Sequence, residues 1–139
     1  MRTILDTNVI SELRRPQPDP TVFENVQALG SRNLYLTNIT FAELAHGVHL
    51  LDDGKKKQGF LSWLDGLEHH YHGRILPFDH EAGVIWGRCM AEMRRRGLAV
   101  SREDAQIAAI ALRFDLPVFS RNVTPFEAMG VAVTDPWGL

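Results

Sequence analysis

Five short apolar runs recur along this chain, and each is separated from the next by a stretch long enough for at least one helix. The runs are Thr3-Ile4-Leu5, Leu34-Tyr35-Leu36-Thr37, Arg74-Ile75-Leu76-Pro77-Phe78, Leu116-Pro117-Val118-Phe119-Ser120 and Val131-Ala132-Val133-Thr134. Strands joined through helices do not form hairpins. They lie side by side in one direction, linked by right-handed crossovers, with helices covering the sheet. The expectation is an α/β fold: a mainly parallel five-stranded sheet flanked by helices on both faces. Pro77 cannot donate to a ladder hydrogen bond, which places the third strand near an edge.

The connecting stretches carry helical spacing and punctuation. A helix from about Asn8 is stopped by Pro16, Pro18 and Pro20. Val22, Phe23, Val26 and Leu29 then recur on one helical face, with Gly30 as the C-terminal cap. Further helices are expected from Ile39 to Leu51, from Lys55 to His70, from His80 to Arg96 and from Asp104 to Phe114. Neither a repeat nor a linker interrupts the 139 residues, so one domain spanning 1–139 is expected.

Three acids stand at the ends of these elements. Asp6 ends the first strand, Glu43 enters a helix after the second, and Asp104 opens the helix before the fourth. In a parallel sheet, ligands bind beyond the carboxyl ends of the strands, near the point where strand order reverses. If the first and fourth strands are neighbours, the acids converge there with Asn122, which follows the fourth strand. Two carboxylates about 5 Å apart repel by roughly 3 kcal/mol at an effective dielectric of 20, so a cluster of three calls for a cation or raised pKa values. Oxygen donors with no Cys or His favour Mg²⁺ or Mn²⁺ over zinc. Helix capping is the competing explanation. Thr40-x-x-Glu43 and Ser101-x-x-Asp104 match the capping-box spacing, and Asp6 suits an N-cap. Capping alone does not account for all three acids at one edge of one sheet.

Composition removes several function classes. No apolar run reaches the roughly 20 residues of a membrane span, and no signal peptide is visible at the N-terminus. The single cysteine, Cys89, excludes an internal disulfide and a multi-cysteine zinc site. A cytoplasmic location follows as the expectation. The net charge of −2 offers no global basic field for nucleic acid, leaving local patches to serve.

At these residues the chain resembles the PIN-domain proteins, and specifically the VapC/FitB-type toxins of bacterial type II toxin–antitoxin pairs. The resemblance spans essentially the whole chain. It is carried by Ile4-Leu5-Asp6-Thr7-Asn8-Val9-Ile10-Ser11-Glu12-Leu13 and Asp104-Ala105-Gln106-Ile107-Ala108-Ala109. Thr40-Phe41-Ala42-Glu43-Leu44 and Ser120-Arg121-Asn122-Val123 support it. It implies a metal-dependent ribonuclease in which Asp6, Glu43 and Asp104 bind Mg²⁺ or Mn²⁺ and Asn122 completes the catalytic set. It further implies RNA as substrate, a cognate antitoxin, a homodimer, and contact with DNA only through the antitoxin. One departure stands out: where relatives often read Asn-Val-x-Asp-Phe, this chain has Asn122-Val123-Thr124-Pro125-Phe126, with a proline in place of the acid.

Other polar residues have competing roles. Thr7, Asn8 and Ser120 are candidates to position a ligand or phosphate, or to cap a helix and close a turn. Arg121 is placed to grip a phosphate bidentately. Arg94-Arg95-Arg96 and Lys55-Lys56-Lys57 read first as solvated faces. His46, three residues after Glu43, shares its helix face but needs no special cause to be there. Trp63, Trp86 and Trp137 read as core or interface.

Two rival enzyme classes fit poorly. A haloacid-dehalogenase-type phosphatase needs a second acid at position 8, which is Asn8. A phosphorelay receiver needs an N-terminal acidic pair that is not apparent. The alternative kept open is a non-catalytic binding subunit that acts on DNA through a partner.

Overall fold

The computed structural model describes residues 1–138. Its strands are β1 (Thr3–Leu5), β2 (Leu34–Thr37), β3 (Ile75–Leu76), β4 (Val118–Phe119) and β5 (Val133–Thr134). Its helices are α1 (Thr7–Leu13), α2 (Pro20–Leu29), α3 (Asn38–His49), α4 (Lys55–His70), α5 (His80–Arg95), α6 (Arg102–Phe114) and α7 (Val123–Ala128). The sheet runs β3-β2-β1-β4-β5, and every described pairing is parallel. The first and fourth strands are therefore neighbours, with Ile4 opposite Val118 and Leu5 opposite Phe119. The strand carrying Pro77 at its end, β3, lies at an edge as expected.

The two-residue period of a strand divides the core between the faces. On β1 and β4, Ile4 and Val118 join a cluster with α5, α6 and α7, built around Met93, Ile107, Ile110 and Phe126. Their neighbours Leu5 and Phe119 join a second cluster, with Val9 and Ile10 of α1 and Val22 and Val26 of α2. Trp63 and Leu67 of α4 and Phe41 and Leu44 of α3 pack on that second side. Helices thus cover both faces, which explains why β1 and β4 read as unbroken apolar runs rather than alternating ones. Each fully buried Leu, Ile or Phe contributes about 1.5–3 kcal/mol.

Several boundaries differ from the sequence expectation. The edge strands β3 and β5 and the strand β4 are each two residues long, shorter than the apolar runs that announce them. Helix α6 starts at Arg102, so Asp104 is its third residue and Ser101 its N-cap. Helix α7 was not anticipated: six residues are too few to display a helical period, and Pro125 reads as a breaker. Pro125 in fact falls in the first turn, where its missing N–H has no intrahelical partner to lose. Gly30 ends α2 at a φ of 85°, a conformation that costs glycine little. Among the described residues, no helix is long and apolar enough to cross a membrane.

Candidate active site

The order β3-β2-β1-β4-β5 places the reversal of strand order between β1 and β4, and the side chains beyond their carboxyl ends meet there. Asp6 leaves β1 and caps α1, its Oδ1 accepting the Thr7 backbone N–H at 2.8 Å. Its Oδ2 accepts the Ser120 hydroxyl at 2.6 Å, from a residue 114 positions away that directly follows β4. The capping role and the site role therefore coincide, one oxygen serving each. Asp6 is only 3% exposed.

Ser120, expected either to position a ligand or phosphate or to close a turn, lies directly against Asp6. It is fully buried, its hydroxyl donates to Asp6 and also accepts the Asn122 backbone N–H at 2.9 Å. It holds the Asp6 carboxylate in place. Asn8 does similar work: its amide nitrogen lies 3.4 Å from Ser120 Oγ and 3.5 Å from Asp6 Oδ2, and its carbonyl oxygen accepts the Arg121 N–H at 3.4 Å. Arg121 carries its guanidinium away from that bond, 4.5 Å over the Trp137 ring.

Glu43 arrives from α3. The expected capping box does not form there, because the N-cap is Thr37 and not Thr40. The Thr37 hydroxyl accepts the Thr40 N–H at 3.1 Å, and Glu43 lies a further turn along, away from the orphan amides. Its carboxylate receives the Thr7 hydroxyl proton at 2.9 Å, and the Thr40 hydroxyl lies 3.0 Å from that same Thr7 oxygen. On α6, half of the second capping box is made: Ser101 Oγ accepts the Asp104 N–H at 3.0 Å. Asn122 is the N-cap of α7 but makes no side-chain cap bond.

Burial raises the pKa of all three acids above the usual carboxylate range. For Asp6, hydrogen bonds from Ser120 and Thr7 oppose the desolvation, and the charge of Asp104 adds to it. For Glu43, the Thr7 bond opposes, while Asp6, Glu103 and Asp104 push upward. For Asp104, Ser101 and Asn122 oppose and Glu103 pushes upward. The acids therefore feel one another, and among the described residues none of them is ion-paired with a Lys or Arg. Glu103 is the acid that sequence reasoning passed over. The signal was available in the doublet Glu103-Asp104 after the capping Ser101.

Among the described residues, no three His, Cys, Asp or Glu side chains close to metal-ligand geometry. The donor set is nonetheless all oxygen, negatively charged and uncompensated, which fits a hard divalent cation that keeps part of its water shell. His46 is exposed and adds no third ligand.

Comparison with known proteins places the sequence and the fold in a family. The PIN domain family matches residues 3–130. The chain is 40% identical over 135 residues to Toxin FitB of Neisseria gonorrhoeae, covering 96% of this chain and 97% of that protein. It is 38% identical over 135 residues to VapC ribonuclease Y4jK of Sinorhizobium fredii, covering 96% of each. Among solved structures, FitAcB from Neisseria gonorrhoeae superposes with a TM-score of 0.92 at 40% identity, covering 99% of both chains. The chain belongs to the PIN domain family.

Proposed function

We propose that this protein is a metal-dependent endoribonuclease that acts as the toxin of a bacterial toxin–antitoxin pair. The observation that carries the reading is that Asp6 beyond β1, Glu43 on α3 and Asp104 on α6 each have a pKa raised by burial and neighbouring acid charge, with Thr7 beside Asp6 bonded to Glu43 and, among the described residues, no cationic partner for any of the three. Structural ion-pair networks do not leave carboxylates in that condition. Similarity to a VapC ribonuclease supports the same activity.

In this reading Asp6, Glu43 and Asp104 hold Mg²⁺ or Mn²⁺. Bound there, a divalent cation supplies positive charge beside a scissile phosphate and acidifies an attacking water. The chain's own residues do the rest. Ser120 and Asn8 clamp Asp6, so that its oxygens do not swing as charge arrives. Thr7 directs its proton to Glu43 and fixes that carboxylate's rotamer. Asn122, the N-cap of α7, presents a neutral amide where an acid would add charge. Such second contacts typically change metal affinity or activity by 10- to 100-fold when removed.

RNA is the substrate in this proposal, and a cognate antitoxin the resting partner, with DNA contacted only through it. A ring of uncompensated carboxylates is a natural receptor for an inserted Arg, whose planar fork matches carboxylate geometry. The cytoplasm is the expected compartment and a homodimer the expected assembly, which sedimentation at micromolar concentration will test. Cleavage of single-stranded RNA by the purified chain should require Mg²⁺ or Mn²⁺, stop with EDTA, and be lost in Asp6→Asn. Undiminished, EDTA-resistant cleavage by Asp6→Asn would overturn the assignment.

A further inference from the structure

A cavity of about 400 Å³ opens beside Glu43, between α1, α3 and α4. Thr7 and Glu43 line it at one end, so it shares its wall with the candidate active site. Farther out, Arg14, Lys56, Phe60 and Trp63 line it. The Arg14 guanidinium lies 4.0 Å over the Phe60 ring and 5.5 Å from that of Trp63. Among the described residues, neither Arg14 nor Lys56 has an acidic partner. The cavity thus joins two cations without acidic partners, one of them stacked on an aromatic ring, to the carboxylate of Glu43. The aromatic stack also holds Arg14 in place before any ligand arrives, so little side-chain entropy remains to be lost on binding.

We propose that this cavity is the subsite for the nucleotide next to the scissile phosphate, with Arg14 and Lys56 gripping its phosphate and its base resting against Phe60 and Trp63. The inference rests on the ribonuclease reading and extends it to where the RNA strand runs. Several features favour RNA as occupant. The volume suits a small ligand. Cations matched to phosphate and aromatic faces matched to an unpaired base are the two means by which single strands are bound. Continuity with Glu43 places the next nucleotide there if the scissile phosphate sits at the acids.

The test uses the full chain and fluorescein-labelled single-stranded RNA oligonucleotides carrying one abasic position on either side of the mapped cleavage point. For wild type, one abasic position should raise KM by roughly tenfold with little change in kcat, the scale of one lost base-aromatic stack. Phe60→Leu should lose that sensitivity. Arg14→Gln and Lys56→Gln should raise KM on intact RNA and flatten the salt dependence of binding by about 0.7 in log–log slope per phosphate contact removed. A change of fold stability alone would move neither the abasic discrimination nor the salt slope. If Asp6→Asn abolishes cleavage while every abasic position is tolerated and the Arg14 and Lys56 variants behave as wild type, the subsite is wrong and the activity stands. If wild type cleaves nothing, the activity reading fails. Fluorescence anisotropy of the same oligonucleotides on wild type and Arg14→Gln then decides the subsite, equal affinities overturning it. Variants that keep normal RNA kinetics but no longer co-purify with the co-expressed product of the neighbouring reading frame would make the groove a protein-docking surface and overturn the proposal.

Discussion

Asp6 shows how one residue serves two ends. One oxygen caps α1 and the other takes the Ser120 hydroxyl, yet burial and the charge of Asp104 work against its ionised form. Asp6→Asn keeps an acceptor for the helix amide, since Asn is as good an N-cap as Asp. It removes the charge that burial penalises. The metal-free variant is therefore expected to melt no lower than metal-free wild type at neutral pH while losing cleavage altogether, as calorimetric melts and an RNA assay will show. A fall of several degrees would mean that the Asp6 charge is held by partners stronger than those described. Asn122 offers the complementary change. It is the N-cap of α7, and its side chain works against the raised pKa of Asp104. Asn122→Asp should tighten Mg²⁺ or Mn²⁺ binding in titration calorimetry and lower the melting temperature of the metal-free protein, because a fourth carboxylate adds repulsion as well as a ligand. No response in either measurement would remove Asn122 from the site.

Among the elements, α7 carries the least sequence signal and has a clear role in placing the site. It is held to the sheet by Phe126, which is fully buried in the cluster with Ile107 and Ile110. Its N-cap is Asn122, so the packing of Phe126 sets where that amide lies. Phe126→Ala should cost about 3–5 kcal/mol, the range for emptying a buried aromatic site. It should also weaken metal binding, although Phe126 itself touches no acid; denaturant titration and calorimetry on one preparation would separate the two effects. Helix α6 is anchored differently, through the Ser101 cap and a buried face from Ala105 to Ala111. Ser101→Ala should cost about 1 kcal/mol in denaturant unfolding, and a change below a few tenths would show that packing alone sets the start of α6.

For the whole molecule, the three acids link stability to pH and to metal. Each has a folded-state pKa above its ordinary value. Such a group contributes stability that is fully present below its ordinary pKa and lost as pH rises through the folded one. Metal-free wild type should therefore lose stability as pH rises above the ordinary carboxylate pKa values, relative to an Asp6→Asn/Asp104→Asn double variant. Melting temperatures across that window check the slope, and wild type gaining on the variant would reverse the sign and refute the account. Mg²⁺ or Mn²⁺ at neutral pH should recover what ionisation costs. At a hundredfold excess over Kd the gain is about 2.7 kcal/mol, of the order of 5–10 °C in Tm.

What the sequence determined by itself was the local part. The alternation of apolar runs and helical spacing specified a parallel sheet with both faces covered, and Asp6 at the end of β1 was legible because a strand, a cap residue and a helix succeed one another within a few residues. The edge position of β3 was legible through Pro77. Only the tertiary structure decided the rest. Whether β1 lies beside β4 depends on which apolar faces bury one another across more than a hundred residues, and that pairing alone brings Ser120 to Asp6. Thr37 rather than Thr40 caps α3, a choice made by where β2 ends, and it leaves Glu43 free to take the Thr7 proton. Glu103 enters the field of the other acids, and α7 forms around Phe126, through contacts that no short window contains. Propensity and capping act over a single turn, whereas strand order and the convergence of charge are set by the burial of whole faces.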